Sequence, residues 1–343
     1  MEDWLLAAAS DAAAAHGPDP APRVLVTVAA VEGSVPREPG AKMLVDAVRQ
    51  WGTVGGGHLE LRGVETARAM LAAGETRRLE RFPLGPSLGQ CCGGVVQLAF
   101  ELLDRGHAKA LAERPNEDSW RLVALDGAPD LALFDARGQQ IQGSAAPAFT
   151  RSQGGPGFTH IMREPSGRRW LVDKVAAPHD HLMLFGAGHV GAAIVRALAD
   201  LPCRVTWVDE REDLFPEHLP RNVTVEATDT PEVLAEQAAP GSSFLVMTHS
   251  HALDQRLAEA ILKRRSFGED WFGLIGSQTK RKQFEHRLRE RGVEATRLEA
   301  MVCPVGVPGI EGKQPAVIAV AVAAQLLMVW EARTATLASS ERY

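Results

Sequence analysis

Two adjacent cysteines, Cys91 and Cys92, are the residues whose type and setting point most directly to chemistry. They stand in a loop between Gln90 and the pair Gly93 and Gly94. Glycine N–H groups and nearby Arg or Lys side chains lower the pKa of an exposed thiol, and soft transition metals and sulfur chemistry need a thiolate. We therefore interpret the pair as an exposed, activated thiolate site. The alternatives are two small buried residues, a zinc site or a vicinal disulfide.

Two more glycine-rich loops come earlier in the chain, at 33–40 and 55–57. Arg37 lies in the first of them and Lys42 follows it, so both can add positive charge there. The second leads into a segment with helical spacing, 59–74, and a helix that begins at a glycine turn offers free N–H groups to an anion. The residues that we expect to contact such a ligand are Gly55, Gly56, Gly57 and His58.

Gly186, Gly188 and Gly191 form the pattern G-x-G-x-x-G between an apolar segment and a helical one. This is the setting of a dinucleotide-binding turn, in which the glycines let the backbone approach a diphosphate. Asp209 ends the next apolar segment and can accept hydrogen bonds from ribose hydroxyls. The pattern predicts a nucleotide or another diphosphate at this turn. The alternative is a fold of this type without a nucleotide.

Two polar clusters also follow apolar segments in the second half, where the ends of parallel strands line a ligand crevice. Ser277 and Lys280 begin a basic helix and indicate either a second anion contact or a capped surface helix. His249, His251 and Asp254 indicate either a metal site or polar lining of the crevice. Because no fourth ligand is evident, we favour polar lining of the crevice or a helix cap by Ser250.

The elements that must position these residues differ between the two halves of the chain. From residue 179 onward strands and helices alternate, which predicts a Rossmann-like parallel sheet with helices on both faces. The first half has short strands, glycine loops and one helix, which indicates a mixed α+β arrangement. We therefore expect an α/β protein with two domains, 1–178 and 179–343, the first carrying the cysteine loop.

The bulk composition is that of an ordinary globular protein. The chain has 343 residues, is 45% hydrophobic and 23% charged, and has a net charge of −6 and no basic stripe, so we expect no nucleic-acid partner. Its four cysteines do not suggest a disulfide framework, and its acidic start does not resemble an export signal, so we expect a cytoplasmic protein. The uncharged run 315–330 is too short to span a bilayer comfortably and predicts a buried helix covering a sheet.

Taken together, these motifs resemble those of the XdhC family, the xanthine dehydrogenase accessory proteins. In the first half the resemblance rests on VEGSVPREPGAKM, GTVGGGHLE and LGQCCGGVVQLAFE. In the second half it rests on LMLFGAGHVG, VMTHSHALD, GLIGSQTKRK and CPVG, so that it covers residues 24–330. The paired cysteines resemble the xanthine dehydrogenase branch more than the related CoxI proteins. The segment 305–320 departs from the run expected in relatives after CPVG.

The resemblance implies a cofactor chaperone rather than an enzyme with its own turnover. Proteins of this family bind molybdenum cofactor, take part in its sulfuration with a cysteine desulfurase and hand it to xanthine dehydrogenase. By this resemblance Cys91 and Cys92 would meet the molybdenum of the bound molybdopterin, and the protein would be a homodimer. Two other functions fit the residues alone: an NAD(P)-dependent oxidoreductase with a reactive cysteine, and a nucleotide-binding interaction module.

Overall fold

The computed structural model divides the chain into two compact units, Met1–Ala177 and Pro178–Tyr343. The residues that it describes are 3–12, 21–85, 93–144, 146–147 and 158–340. The first unit contains two antiparallel sheets and the second unit contains one parallel sheet.

The described part of the first unit contains two five-stranded sheets and three helices. The strands of the first sheet are β1 (Val24–Glu32), β2 (Lys42–Val45), β3 (Gln50–Gly52), β4 (Arg77–Pro83) and β5 (Val95–Leu102). The strands of the second sheet are β6 (Ser119–Ala124), β7 (Leu131–Asp135), β8 (Gln140–Gly143), β9 (His160–Arg163) and β10 (Arg169–Val175). The helices are α1 (Asp3–Ala12), α2 (Gly57–Ala73) and α3 (Arg105–Ala112).

β1 is the central strand of the first sheet, whose order is β3-β2-β1-β5-β4. Successive side chains of a strand point to opposite faces of the sheet. Val24, Val26 and Val28 pack in one core with residues of α2, whereas Ala29 packs on the other face with residues of the second sheet such as Leu171. β1 is therefore buried on both faces, as its continuous apolar sequence predicts.

A buried ion network joins the two sheets of the first unit. Asp173 of β10 pairs with Lys42 of β2 at 2.9 Å and with Arg121 of β6 at 2.7 Å, and all three side chains are buried. Arg121 also donates to Glu101 of β5. Removing one partner of such a pair leaves an uncompensated buried charge, which costs about 3–5 kcal/mol. Lys42 therefore belongs to the core. Its Nζ also donates to the carbonyl oxygen of Gly40 in the loop at 33–40 at 2.8 Å, but Asp173 balances its charge.

The helix predicted over 59–74 is α2, and its end is set by Gly74. The φ of 66° at this residue is a left-handed conformation that glycine adopts without strain. β4 is not evident from its sequence, because RRLERFP is mostly charged. β4 lies at the edge of its sheet, where charged side chains are favoured because they prevent further pairing.

The second unit alternates strands and helices along the chain. Its strands are β11 (Asp180–Phe185), β12 (Cys203–Asp209), β13 (Val223–Ala227), β14 (Ser243–Val246) and β15 (Trp271–Leu274). Its helices are α4 (His189–Leu198), α5 (Pro231–Gln237), α6 (His251–Leu262), α7 (Gln278–Glu290), α8 (Ala295–Ala300) and α9 (Pro315–Ser340).

The sheet of the second unit has the order β13-β12-β11-β14-β15, and all its neighbours are parallel. One core contains residues of α4 and α9 together with one face of the sheet. Another core contains residues of α5, α6, α7 and α8 together with the opposite face. The prediction of a Rossmann-like parallel sheet with helices on both faces is therefore confirmed.

α9 is longer than the uncharged run from which it was predicted. The whole helix extends over 26 residues, so the prediction from the run 315–330 that it is too short to span a bilayer is wrong. Its part Pro315–Thr336 is long and apolar enough to cross a membrane by length and composition alone, a test that core helices also pass. Ala319, Val322 and Leu326 pack in the core with α4, as predicted for a helix that covers a sheet.

Candidate functional site

The loop at 33–40, called the first loop below, contacts the end of the cysteine loop, which joins β4 to β5 over residues 84–94. The N–H of Gly94 donates to the carbonyl oxygen of Ser34 at 3.1 Å. A methyl group added at Gly94 would lie 2.5 Å from the carbonyl oxygens of Glu32 and Ser34. Only glycine allows the two loops to approach this closely, so Gly94 packs the end of the cysteine loop against the first loop.

The first loop also contacts the glycine turn at 55–57, which precedes α2. Gly55 has a φ of 129°, and a methyl group added there would lie 2.6 Å from Cγ of Pro36 and 3.5 Å from Cγ of Arg37. The structure thus brings together, at one end of the first sheet, the three glycine-rich segments of the first half of the sequence. The pairing of the strands that lead into them fixes this arrangement.

The cysteine loop itself can be followed only at its two ends, because Gln90, Cys91 and Cys92 lie outside the described residues. The N–H of Leu84 donates to the carbonyl oxygen of Gly94 at 2.8 Å and closes the base of the loop. The loop therefore begins and ends at a fixed point beside the first loop.

The glycine turn already holds a carboxylate of the same chain. Glu60, in the first turn of α2, accepts hydrogen bonds from the backbone N–H groups of Gly56 at 3.2 Å and Val54 at 3.3 Å. Its carboxylate also accepts from the hydroxyl of Thr53. The turn is therefore suited to an anion, as the sequence predicts, but Glu60 occupies part of it.

Other predicted residues of the first unit lie at the surface around these loops. Gly93 and His58 are exposed, and a methyl group added at Gly93 or at Gly56 would meet no atom within 4 Å. The side chain of Arg37 is 39% exposed and lies 3.5 Å from Glu38. Because exposed ion pairs are weak, Arg37 can turn toward an anionic ligand at low cost.

In the second unit, the three glycines of the turn between β11 and α4 have different roles. A methyl group added at Gly186 would lie 2.4 Å from the carbonyl oxygen of Met247, and one added at Gly191 would lie 2.2 Å from that of Gly186. Gly188 has a φ of −72°, which any residue adopts, and a methyl group there would meet nothing. Gly186 and Gly191 are thus required for packing, whereas Gly188 leaves open space in front of the N-terminus of α4.

Asp209, at the end of β12, is bound within the chain. Its Oδ2 accepts from the N–H of Ala187 at 2.7 Å and from Nη2 of Arg211 at 2.9 Å. Its Oδ1 accepts from the backbone N–H of Arg211 at 3.1 Å and from Nε of Arg211 at 2.8 Å. Burial acts to raise the pKa of Asp209, but these hydrogen bonds outweigh it and hold the pKa below its ordinary value.

Lys280 and Ser277 lie at the end of β15, where a second anion contact is one of the two predictions. Nζ of Lys280 donates to the buried carboxylate of Asp254 at 2.7 Å and to the carbonyl oxygen of Ile275 at 2.9 Å. The lysine stem folds back over Gly276, where a methyl group would lie 2.5 Å from its Cδ. Ser277 accepts from the N–H of Lys280 and caps α7. The charge of Lys280 is thus balanced by Asp254.

His249 and His251 lie at the end of β14 and at the start of α6, and both are exposed. Nε2 of His249 lies 3.3 Å from Oε1 of Glu210. A small pocket nearby is lined by apolar side chains together with Asp209, Glu210, Thr248 and His249. In the part of the chain that the structure describes, no three His, Cys, Asp or Glu side chains lie close enough to hold a metal ion.

Comparison with protein families now identifies the chain. Residues 182–326 match the family model described as the XdhC Rossmann domain, and residues 19–83 match that of the XdhC and CoxI family. The chain belongs to the XdhC family. In this XdhC protein the match over 19–83 contains the first loop and the glycine turn, and the match over 182–326 contains the crevice of the parallel sheet. Neither of the two models extends over the cysteine loop.

Among solved structures, the XdhC protein resembles one from Bacillus halodurans described as a xanthine dehydrogenase. The two chains share 20% sequence identity, each is covered over 97% of its length, and the TM-score is 0.75, which shows a common fold. A protein assigned as an epimerase from Bacteroides thetaiotaomicron covers 29% of this chain and 47% of its own, at 16% identity and a TM-score of 0.23. The glycosyltransferase SnogD from Streptomyces nogalater covers 48% of this chain and 44% of its own, also at 16% identity and a TM-score of 0.23. These last two similarities carry no argument, and no curated protein matches the sequence.

Sequence reasoning about this XdhC protein missed two residues that shape the site. Glu60 fills part of the glycine turn, and an acidic residue in the first turn of a helix is a signal that predicts such a contact. Arg211 holds the carboxylate of Asp209, and its position two residues further along the chain is a weaker signal. Neither residue forms part of a glycine motif.

Proposed function

We propose that this XdhC protein binds molybdenum cofactor as molybdopterin, supports its sulfuration and inserts it into xanthine dehydrogenase. Membership of the XdhC family supports an accessory role of this kind. The similar protein from Bacillus halodurans, described as a xanthine dehydrogenase, also supports a link to that enzyme.

The observation that carries the proposal is the meeting of three glycine-rich segments at one end of the first sheet. Gly94 packs the base of the cysteine loop against the first loop, and Gly55 packs the glycine turn against the same loop. A thiolate-bearing loop beside N–H-rich backbone and exposed Arg37 is the environment that an anionic ligand with a soft metal requires.

The residues of the chain fit the two ends of molybdopterin. Its metal is held by a dithiolene and accepts soft ligands, which Cys91 and Cys92 would provide. Its phosphate needs N–H donors, which the glycine turn before α2 would offer once Glu60 releases the N–H of Gly56. In the second unit, the space around Gly188 is open. The bound cofactor supplies the molybdenum, and the protein supplies shielding and delivery.

The proposal extends to the partners of the protein, its oligomeric state and its location. Sulfuration requires a sulfur donor, for which a cysteine desulfurase is the fitting partner, and xanthine dehydrogenase is the acceptor of the finished cofactor. We expect the protein to act as a homodimer in the cytoplasm and to turn over no substrate of its own.

The test is the amount of cofactor that the purified protein retains. The protein is produced in a host that makes molybdopterin, and its molybdenum and pterin fluorescence are measured for the wild type and for the double variant Cys91→Ala, Cys92→Ala. We expect the double variant to lose at least about nine-tenths of both signals, because a metal site without its thiolates loses most of its affinity.

A matched control is Cys203→Ala, which removes a buried thiol in the second unit. This variant should retain the wild-type amount of cofactor. Equal occupancy in the wild type and the double variant would contradict the assignment of the cysteine pair, and thermal unfolding of each protein shows whether a loss of cofactor arises from a loss of structure.

A further inference from the structure

The carboxylate of Asp209 has no acceptor position left for a ligand. An ionised carboxylate offers about four lone-pair positions. Two on Oδ1 are taken by the backbone N–H and Nε of Arg211, and two on Oδ2 by Nη2 of Arg211 and the N–H of Ala187. Asp209 is buried, which limits the directions from which a further donor can approach.

Asp209, with Arg211 bound to it, stands at the position that binds the ribose in a dinucleotide-binding fold. There, an acidic residue at the end of the second strand of the sheet accepts hydrogen bonds from the adenosine ribose hydroxyls. Here Asp209 ends β12 in that position, beside the glycine turn, but two of its four hydrogen bonds come from the guanidinium of Arg211. A ribose diol could bind Asp209 only by displacing this bidentate pair, which is among the strongest side-chain interactions.

The surroundings of Arg211 hold it on Asp209. Glu210, Glu212 and Asp213 are its neighbours in sequence, and Glu210 and Asp213 add to the negative potential around its guanidinium. At the same edge of the crevice, Nε2 of His249 lies 3.3 Å from Oε1 of Glu210. A neutral diol competes with this guanidinium for Asp209 and carries no charge with which to replace it.

We infer that Arg211 is a specificity-determining residue that closes the ribose position of the crevice and so excludes ribonucleotides from the second unit. The open backbone at Gly188 stays accessible, because Arg211 does not cover it and a methyl group there would meet nothing. The crevice then admits a phosphate-bearing ligand that presents no ribose diol. Only the identity of that admitted ligand as a pterin phosphate rests on the proposed function.

The experiment is a calorimetric titration of the full-length wild type, Arg211→Ala and Arg211→Met with ADP and with 2′,3′-dideoxy-ADP. Freeing two acceptor positions on a buried carboxylate should give hydrogen bonds to a charged group, so we expect both variants to bind ADP about tenfold or more tightly than the wild type. The gain should be absent with the dideoxy ligand, which lacks the diol. Arg211→Met keeps the length of the side chain and separates the loss of the guanidinium from the loss of packing.

Exposed Arg221 provides the charge-matched control, and Arg221→Ala should bind ADP as the wild type does. The inference is overturned if the wild type already binds ADP with a preference over the dideoxy ligand, or if neither Arg211 variant gains diol-dependent binding. Pterin is measured separately in the wild-type protein, so a failure of the proposed function would appear there and not in the ADP titration.

Discussion

At the scale of the single residue, burial controls the protonation of His181 in β11. Its Nε2 lies 2.9 Å from the hydroxyl of Thr206 on the neighbouring strand. Burial lowers the pKa of His181 to about 4, and the positive charge of Arg204 acts in the same direction. His181 is therefore neutral near pH 7, where its partly buried side chain is an uncharged group beside Thr206.

This protonation predicts a specific loss of stability in acid. In the unfolded chain a histidine takes up a proton near pH 6.5, whereas folded His181 does so only near pH 4. Between these values the unfolded state binds more protons, so falling pH lowers the free energy of unfolding. The midpoint of thermal unfolding of His181→Gln should therefore fall less steeply between pH 6.5 and pH 4 than the midpoint of the wild type.

The control for this measurement is His218→Gln, which replaces an exposed histidine of the same unit. Its midpoint of unfolding should follow the wild-type curve over the same pH range. If the midpoints of His181→Gln and of the wild type changed in parallel with pH, burial of His181 would not be the cause of the protein's loss of stability in acid.

At the scale of the element, the turn between β11 and α4 separates glycines that the fold requires from one that it does not. The added methyl group of Gly191→Ala would lie 2.2 Å from the carbonyl oxygen of Gly186, and the helix must shift to relieve the clash. The added methyl group of Gly188→Ala would point into open space, and the backbone angles there suit any residue. The same motif thus contains two packing positions, Gly186 and Gly191, and one position with open space around it, Gly188.

These two glycines make a matched pair of variants. Gly191→Ala should lower the free energy of unfolding by about 1–3 kcal/mol, the range of an overpacked core, while Gly188→Ala should change it by less than about 0.5 kcal/mol. Gly188→Val should keep the fold yet weaken the binding of a phosphate-bearing ligand, because its side chain fills the space in front of α4. Denaturant titration measures the first effect and calorimetry the second, and equal stability losses at both positions would contradict the division of roles.

The same elements show which parts of the protein its sequence predicts. Gly74 ends α2 as predicted, because the end of a helix depends on neighbouring residues alone. The partner of a buried charged side chain cannot be predicted in this way, since it depends on packing between segments that are distant in the sequence. Lys42 pairs with Asp173 and Lys280 pairs with Asp254. From the sequence, both lysines are candidates to offer positive charge to an anionic ligand.

At the scale of the whole molecule, the proposed function of this XdhC protein is the delivery of a cofactor rather than its use. The two units each contain a glycine turn with open backbone, and the first also fixes the base of the cysteine loop. A delivery protein must release its cargo to the acceptor enzyme, so binding alone does not establish the function. Transfer between two purified proteins is the property that separates a chaperone from an oxidoreductase.

The most direct test is therefore the activation of cofactor-free xanthine dehydrogenase by the molybdopterin-loaded protein. Loaded wild-type protein should restore xanthine oxidation, and the double variant Cys91→Ala, Cys92→Ala, treated in the same way, should restore less than about a tenth of it. The Cys203→Ala protein should match the wild type. Activation by free cofactor at the same rate as by the loaded protein, or no activation by the loaded protein, would contradict the role in insertion.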